Sequence, residues 1–262
     1  LVCPVGDKVI YAVPGVPREM KEMLAGTVLP DLRRRAGAAR VIRSRTLRTW
    51  GLSESGIDEL LTERMAELDK TGNPLIAFQA SGIDGIKVRL SAKSDDEATA
   101  TRILDDEEKL VRGILGDAVF GIDEQSMEAV VLDLARAGGM TIAACESLTS
   151  GILASRMGLL DPDLATFRGS LVAPPPEAAT SEARSRLAAE RAREKFGTSI
   201  GLAAVAPPEA EAQGPGAVFA SVAVGSDVHT RKVMLPPHRA QLREYAVISL
   251  LDLARRVLTG TA

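Results

Sequence analysis

Residues 140–160 read MTIAACESLTSGILASRMGLL. The run MTIAAC is continuously apolar, the pattern of a strand buried on both faces of a sheet. LTSGILASRMGLL, after a short polar break, has the composition of the next helix. Strand, turn and helix in that order predict one unit of a sheet covered by helices. The turn itself puts Glu146, Ser147 and Thr149 at the end of the strand. Ser147 is therefore read in two ways, as a nucleophile or as the N-cap of the helix, with Thr149 as the rival cap.

Working outward, SMEAVVLDLARAGG (126–139) predicts a helix closed by a glycine pair. GSLVA, SIGLAAVA, AVFASVAVG and HTRKVMLP predict further strands, SEARSRLAAERAREKF a helix charged on one face, and RAQLREYAVISLLDLARRVL a long terminal helix. The stretch from 123 to 262 is expected to be a three-layer α/β unit. APPPEAA and APPEAEAQGPG are Pro/Ala-rich loops.

Upstream the pattern differs. VIRSRTLRTWG alternates as a strand does. A helix follows, with Ser55 and Asp58 at capping-box spacing and an apolar face of Ile57, Leu60, Leu61, Met65 and Leu68. PLIAFQ and IKVRLSA predict two strands joined by ASGIDG. An amphipathic helix and a short strand, AVFG, complete a small α+β unit over 42–122. Residues 1–41 read as strand, turn and helix. Pro14-Gly15 breaks the strand, Pro17 suits the first helical turn and Glu19 suits the positive helix start.

Composition narrows the function. A formal net charge of -3 argues against a general binder of nucleic acid or membrane surface. No apolar run approaches the ~18 residues of a membrane span. Two cysteines, Cys3 and Cys145, make no disulfide framework, so a reducing, cytoplasmic setting is expected. His229 and His238 have no carboxylate or Cys at ligand spacing, and no metal site is expected. Gly82 and Gly85 have the spacing of an RNA-clamping Gly-x-x-Gly loop, but they join strands rather than helices, so no nucleic-acid role is predicted.

Four stretches, VPGVPREMKEML, RTWGLSESGIDELL, GDAVFG and CESLTSG, follow one another in the order of the competence/damage-inducible CinA family, which this chain resembles over nearly its whole length. The resemblance implies three parts. The first, 1–41, would be the end of a molybdopterin-binding-like domain whose upstream part is missing. A KH-like domain, 42–122, and a nicotinamide-nucleotide amidohydrolase-like domain, 123–262, would follow. In the family the first domain is implied to cleave ADP-ribose with a divalent metal. Gly15, Pro17 and Glu19 match its P-G-x-P-x-E turn. The metal is expected only with the missing part, and no cofactor is expected in this chain.

The resemblance also implies Ser147 as the group that attacks the carboxamide of nicotinamide mononucleotide. Glu146 and Thr149 lie in the same motif. The family's V-x-Y-S-N-E-A-K stretch would supply a Tyr and a Lys, but here it reads LVAPPPEAA. Pro174, Pro176 and Ala179 replace Tyr, Asn and Lys, while Glu177 and Ala178 match. The hydroxyl-Gly-Ile-Ala-Gly-Pro loop has become AAVAPP. Loss of one oxyanion donor costs ~100- to 1,000-fold in rate. The expectation is a deamidase site that no longer works, in a protein used for structure or homodimerisation. Two alternatives stand beside it: an amidohydrolase acting through Ser147, and a module that binds a nucleotide without turnover. Arg239 and Arg243 match the family's R-x-x-x-R before the last helix and would meet a ligand phosphate.

Overall fold

The computed structural model describes residues 1–36, 41–208 and 216–262. Its largest layer is a five-stranded sheet in the order β11-β10-β9-β7-β8. Strands β7 (Ile142–Glu146), β8 (Phe167–Leu171) and β9 (Ile200–Val205) are parallel. Strands β10 (Ala217–Val224) and β11 (Asp227–Met234) continue the sheet antiparallel. All five residues of β7 and all six of β9 are buried, because helices cover both faces.

The two faces are packed differently. Ile142, Ala144, Leu202 and Val222 belong to a large aliphatic core with residues of α5 (Met127–Ala137), α6 (Ile152–Leu160) and α8 (Arg239–Thr259). Ala143, Cys145, Ala203 and Ala223 meet Ala188, Ala189 and Ala192 of α7 (Ser181–Phe196). Small residues let α7 lie close to the sheet. A Cβ on Gly201 would stand 1.9 Å from the Ala189 carbonyl oxygen, so this position excludes every larger residue. The expected three-layer α/β arrangement is therefore present.

A second sheet, all antiparallel, has the order β4-β5-β3-β6. It is built from β3 (Val41–Thr49), β4 (Leu75–Ala80), β5 (Ile86–Ser94) and β6 (Val119–Ile122), with α3 (Glu54–Thr71) and α4 (Glu97–Leu115) against it. Leu47, Val88 and Leu90 alternate inward and meet Ile57, Leu61, Leu104 and Val111. Two details differ from the sequence reading. The hydroxyl of Ser53, not Ser55, caps α3 by accepting the Gly56 N–H at 3.1 Å. Leu60 is exposed, because it falls just outside the stripe that Ile57, Leu61 and Leu68 bury.

The two sheets are joined through α8. Arg255 donates to the Asp117 carbonyl at 2.7 Å, and the rings of Trp50 and Tyr245 lie 5.7 Å apart. Ile83, in the short turn between β4 and β5, packs against the larger core. That turn is held down at Gly85, whose φ is 76° and whose Cβ would stand 2.0 Å from the Thr49 carbonyl oxygen.

Residues 1–36 form a hairpin, β1 (Val2–Val5) with β2 (Lys8–Tyr11), then α1 (Pro17–Met23), a π-helical stretch over Leu24–Val28, and α2 (Leu29–Ala36). Tyr11, Arg34 and Arg35 all donate to the Asp31 carboxylate and tie the hairpin to α2. These bonds, Tyr11 first, hold that carboxyl at about 2. Among the described residues no helix is long and apolar enough to cross a membrane.

Candidate functional site

The parallel strands β7, β8 and β9 end on one edge of the sheet, the place where open α/β sheets bind ligands. The chain leaves β7 through Glu146, Ser147, Leu148, Thr149, Ser150 and Gly151 before α6 begins. Strand alternation sends Cys145 towards α7 and Glu146 towards the other face. Burial pushes the Cys145 thiol up, which keeps it protonated at neutral pH.

Glu146 organises the turn. Its side chain is 1 % exposed and accepts four hydrogen bonds. Oε2 takes the Thr149 hydroxyl at 2.7 Å, the Gly151 N–H at 2.9 Å and the Leu153 N–H at 3.0 Å. Oε1 takes the Ala154 N–H at 2.9 Å. Three of these donors are backbone groups at the start of α6, which have no partner inside the helix. The carboxylate thus caps α6 and meets its positive end. Ser150 and Gly151 have φ of 48° and 92°, the left-handed turn that folds the helix start back over Glu146.

This corrects the local alternative drawn from sequence. Neither Ser147 nor Thr149 caps α6; Gly151 occupies the N-cap position without a side-chain bond, and Thr149 is 2 % exposed with its hydroxyl given to Glu146. Ser147 is partly buried, and its hydroxyl donates to the Ala204 carbonyl at 3.5 Å. No side chain among the described residues hydrogen-bonds that hydroxyl as a base.

Arg243 is brought to the same place. Its Nη2 donates to the Thr149 carbonyl at 3.1 Å, while its Nε is buried without a partner. Arg239 opens α8, and its side chain lies outside the described residues. The neighbouring exit from β8 carries Val172 to Ala179. Val172 comes within 3.9 Å of the Cβ position of Gly151, and Pro174 and Ala179 are exposed. The loop after β9 is described only to Pro208, so much of the second Pro/Ala-rich stretch lies outside the described residues.

Gly15, Pro17 and Glu19 are exposed on the first hairpin and α1, and none bonds to the turn after β7. Pro17 stands at the first position of α1 and Glu19 in its first turn. Among the described residues no group of three His, Cys, Asp or Glu side chains converges as a metal site. Asp31 is engaged with Tyr11, Arg34 and Arg35, so Glu19 has no second acid beside it from that source. These residues do not fit a divalent metal by themselves.

The role that the sequence did not reveal is the one Glu146 has as anchor of the turn and of the start of α6. Its signal is an acid at the end of a fully apolar strand, six residues before the first residue of a helix that lacks a side-chain N-cap.

Residues 44–121 match the model of the damage-inducible protein CinA KH domain. A CinA-like protein of Frankia casuarinae is 39 % identical over 98 % of this chain and 63 % of its own length. A CinA-like protein of Gemmatimonas aurantiaca is 32 % identical over 97 % of this chain and 63 % of its own. The chain therefore spans less than two thirds of these curated relatives. A CinA superfamily protein of Klebsiella pneumoniae of known crystal structure aligns with a TM-score of 0.45 at 18 % identity, covering 52 % of this chain and 99 % of that one.

Proposed function

Because the chain belongs to the CinA family of competence/damage-inducible proteins, we propose that its last part, 123–262, keeps an amidohydrolase-like frame without the amidase chemistry. Its role is structural: it supports the unit built on β3–β6 and assembles as a cytoplasmic homodimer within a protein of pyridine-nucleotide metabolism. The observation that carries this reading is the state of Ser147. Its hydroxyl lies 3.5 Å from the Ala204 main-chain carbonyl, which is no base, and no side chain among the described residues hydrogen-bonds it. The loop beside it presents Pro174, Pro176 and Ala179 where a phenol, an amide and an ammonium would supply donors.

The test is ammonia release from nicotinamide mononucleotide by the purified chain. The expected result is no release above the buffer control. Release that disappears in Ser147→Ala would overturn the reading, because it would show that the hydroxyl still finds a base.

Arg243 favours a second reading, binding without turnover. Its guanidinium lies over the same turn with one N–H uncommitted. Calorimetry with nicotinamide mononucleotide is expected to show a dissociation constant no tighter than ~100 μM. Any signal should be lost in Arg243→Ala; binding that survives this change would exclude the turn as its site.

A further inference from the structure

A cleft of about 660 Å³ opens between the two sheets, well apart from Ser147 on the sequence and lined by other residues. On one side are Trp50 and the turn after β4; on the other are Arg231 of β11 and Tyr245, Ser249, Asp252 and Arg256 of α8. The chain has one Trp and two Tyr, and this cleft holds the Trp and one Tyr. Their rings lie 5.7 Å apart at 43°, which leaves both partly exposed rather than stacked away. The indole N–H of Trp50 and the hydroxyls of Tyr245 and Ser249 have no hydrogen-bond partner among the described residues.

Charge in the cleft is unbalanced. Asp252 is 4 % exposed and accepts from Arg255 at 2.7 Å and from Arg256 at 2.9 Å. Its two oxygens are thereby engaged. Arg231 is left 4.0 Å from the same carboxylate, beyond hydrogen-bond distance, with its side chain 41 % exposed. Arg256 also has the Asp117 carboxylate at 3.8 Å, whereas Arg231, the other guanidinium lining the cleft, has only this shared Asp252 carboxylate near it.

We infer that this cleft is a binding site for a planar heteroaromatic ring that carries an anionic group, a ligand the size of a nucleoside monophosphate. The ring lies against Trp50 and Tyr245, and the anion is met by Arg231. The volume falls in the range of small-ligand sites, which occur preferentially where two folded units meet. The apolar share of the lining, Val233 and Leu235 among it, suits a ring rather than a sugar alone.

Trp50 is itself the reporter, because no other Trp contributes fluorescence. Adenosine 5′-monophosphate, adenosine and inorganic phosphate are titrated as ring plus anion, ring alone and anion alone. Saturable quenching by the monophosphate is expected, with adenosine at least about ten-fold weaker and phosphate without effect. Arg231→Ala should weaken the monophosphate about ten-fold and leave adenosine unchanged, as loss of one charge-assisted contact does. Arg231 is half-exposed on an edge strand, so the variant tests the ligand and not the fold; Arg231→Glu should abolish the effect. Arg243→Ala, at the turn after β7, should leave the quenching unchanged. No saturable quenching by the monophosphate, or equal affinity in wild type and Arg231→Ala, overturns the assignment.

Discussion

Strands β7 and β8 are parallel neighbours, and the chain leaves both at the same edge of the sheet, yet the two exits are held in different ways. The exit from β7 folds around one buried carboxylate that takes four hydrogen bonds. The exit from β8 has three consecutive prolines, which donate no N–H, and its far end is met by Arg184 Nε on the Ala178 carbonyl at 3.2 Å. The first loop is part of the fold's stability. The second lies largely on the surface and is free to change. Separate interactions therefore maintain the two exits: the Glu146 carboxylate holds the turn that presents Ser147, and none of its bonds reaches the loop after β8.

The most severe way to break this contrast is Glu146→Ala. It removes the acceptor of three main-chain N–H groups and one hydroxyl, two of these donors buried and two part-buried, and an unsatisfied buried donor costs ~1–3 kcal/mol. A loss of ~3 kcal/mol in urea unfolding is expected, since the helix start relaxes only in part. A loss under ~1 kcal/mol would mean that the turn is held by packing alone, and the two exits would then be alike.

Asp161 sharpens the comparison, because a buried carboxylate anchors the entry to β8 as Glu146 anchors the exit from β7. Its carboxylate accepts the Thr166 and Phe167 N–H groups, both at 2.7 Å, and pairs with Arg136 at 3.2 Å. Burial opposes its charge, but those bonds outweigh it, and its pKa is lowered. A lowered folded value contributes stability that is fully present above the unfolded pKa of ~3.9. That contribution is lost as pH falls through the folded value. Asp161→Asn should cost ~2 kcal/mol at neutral pH, and the gap to wild type should narrow as pH falls below about 4. A gap that stays constant through this window would show that the amide replaces the carboxylate fully.

Much of this arrangement is legible in the sequence. The all-apolar MTIAAC and the spacing of Ile57, Leu61 and Leu68 are direct consequences of burial, and burial leaves a periodic trace. Capping leaves a weaker one. Ser55 and Ser53 are two residues apart and chemically the same, so only the backbone turn decides which hydroxyl reaches an N–H. Glu146 is harder, because the usual signal is a Ser, Thr, Asp or Asn immediately before the helix. A Glu six residues upstream reaches α6 only because Ser150 and Gly151 reverse the chain, and that positive-φ pair depends on the tertiary setting. The cleft beside Trp50 has no local trace at all. Trp50 and Tyr245 are 195 residues apart in the chain, and their meeting is decided by how α8 docks.

The smallest effect expected is also the one that isolates the second exit. In the pair Pro174→Tyr and Ala179→Lys, both positions are exposed, and neither proline nor alanine there has a hydrogen bond to lose. Substitutions at such surface positions stay within about 0.5 kcal/mol. Replacing a proline also frees the unfolded chain slightly, which works against the folded state by a similar small amount. The midpoint of urea unfolding should therefore stay close to that of wild type, while Glu146→Ala in the same assay shifts it strongly. Should the double variant instead lose more than ~1 kcal/mol, Pro174 to Ala179 would have to be packed into the edge of the sheet. The loop would then be a fixed wall of the Ser147 turn, and the two exits would be held alike.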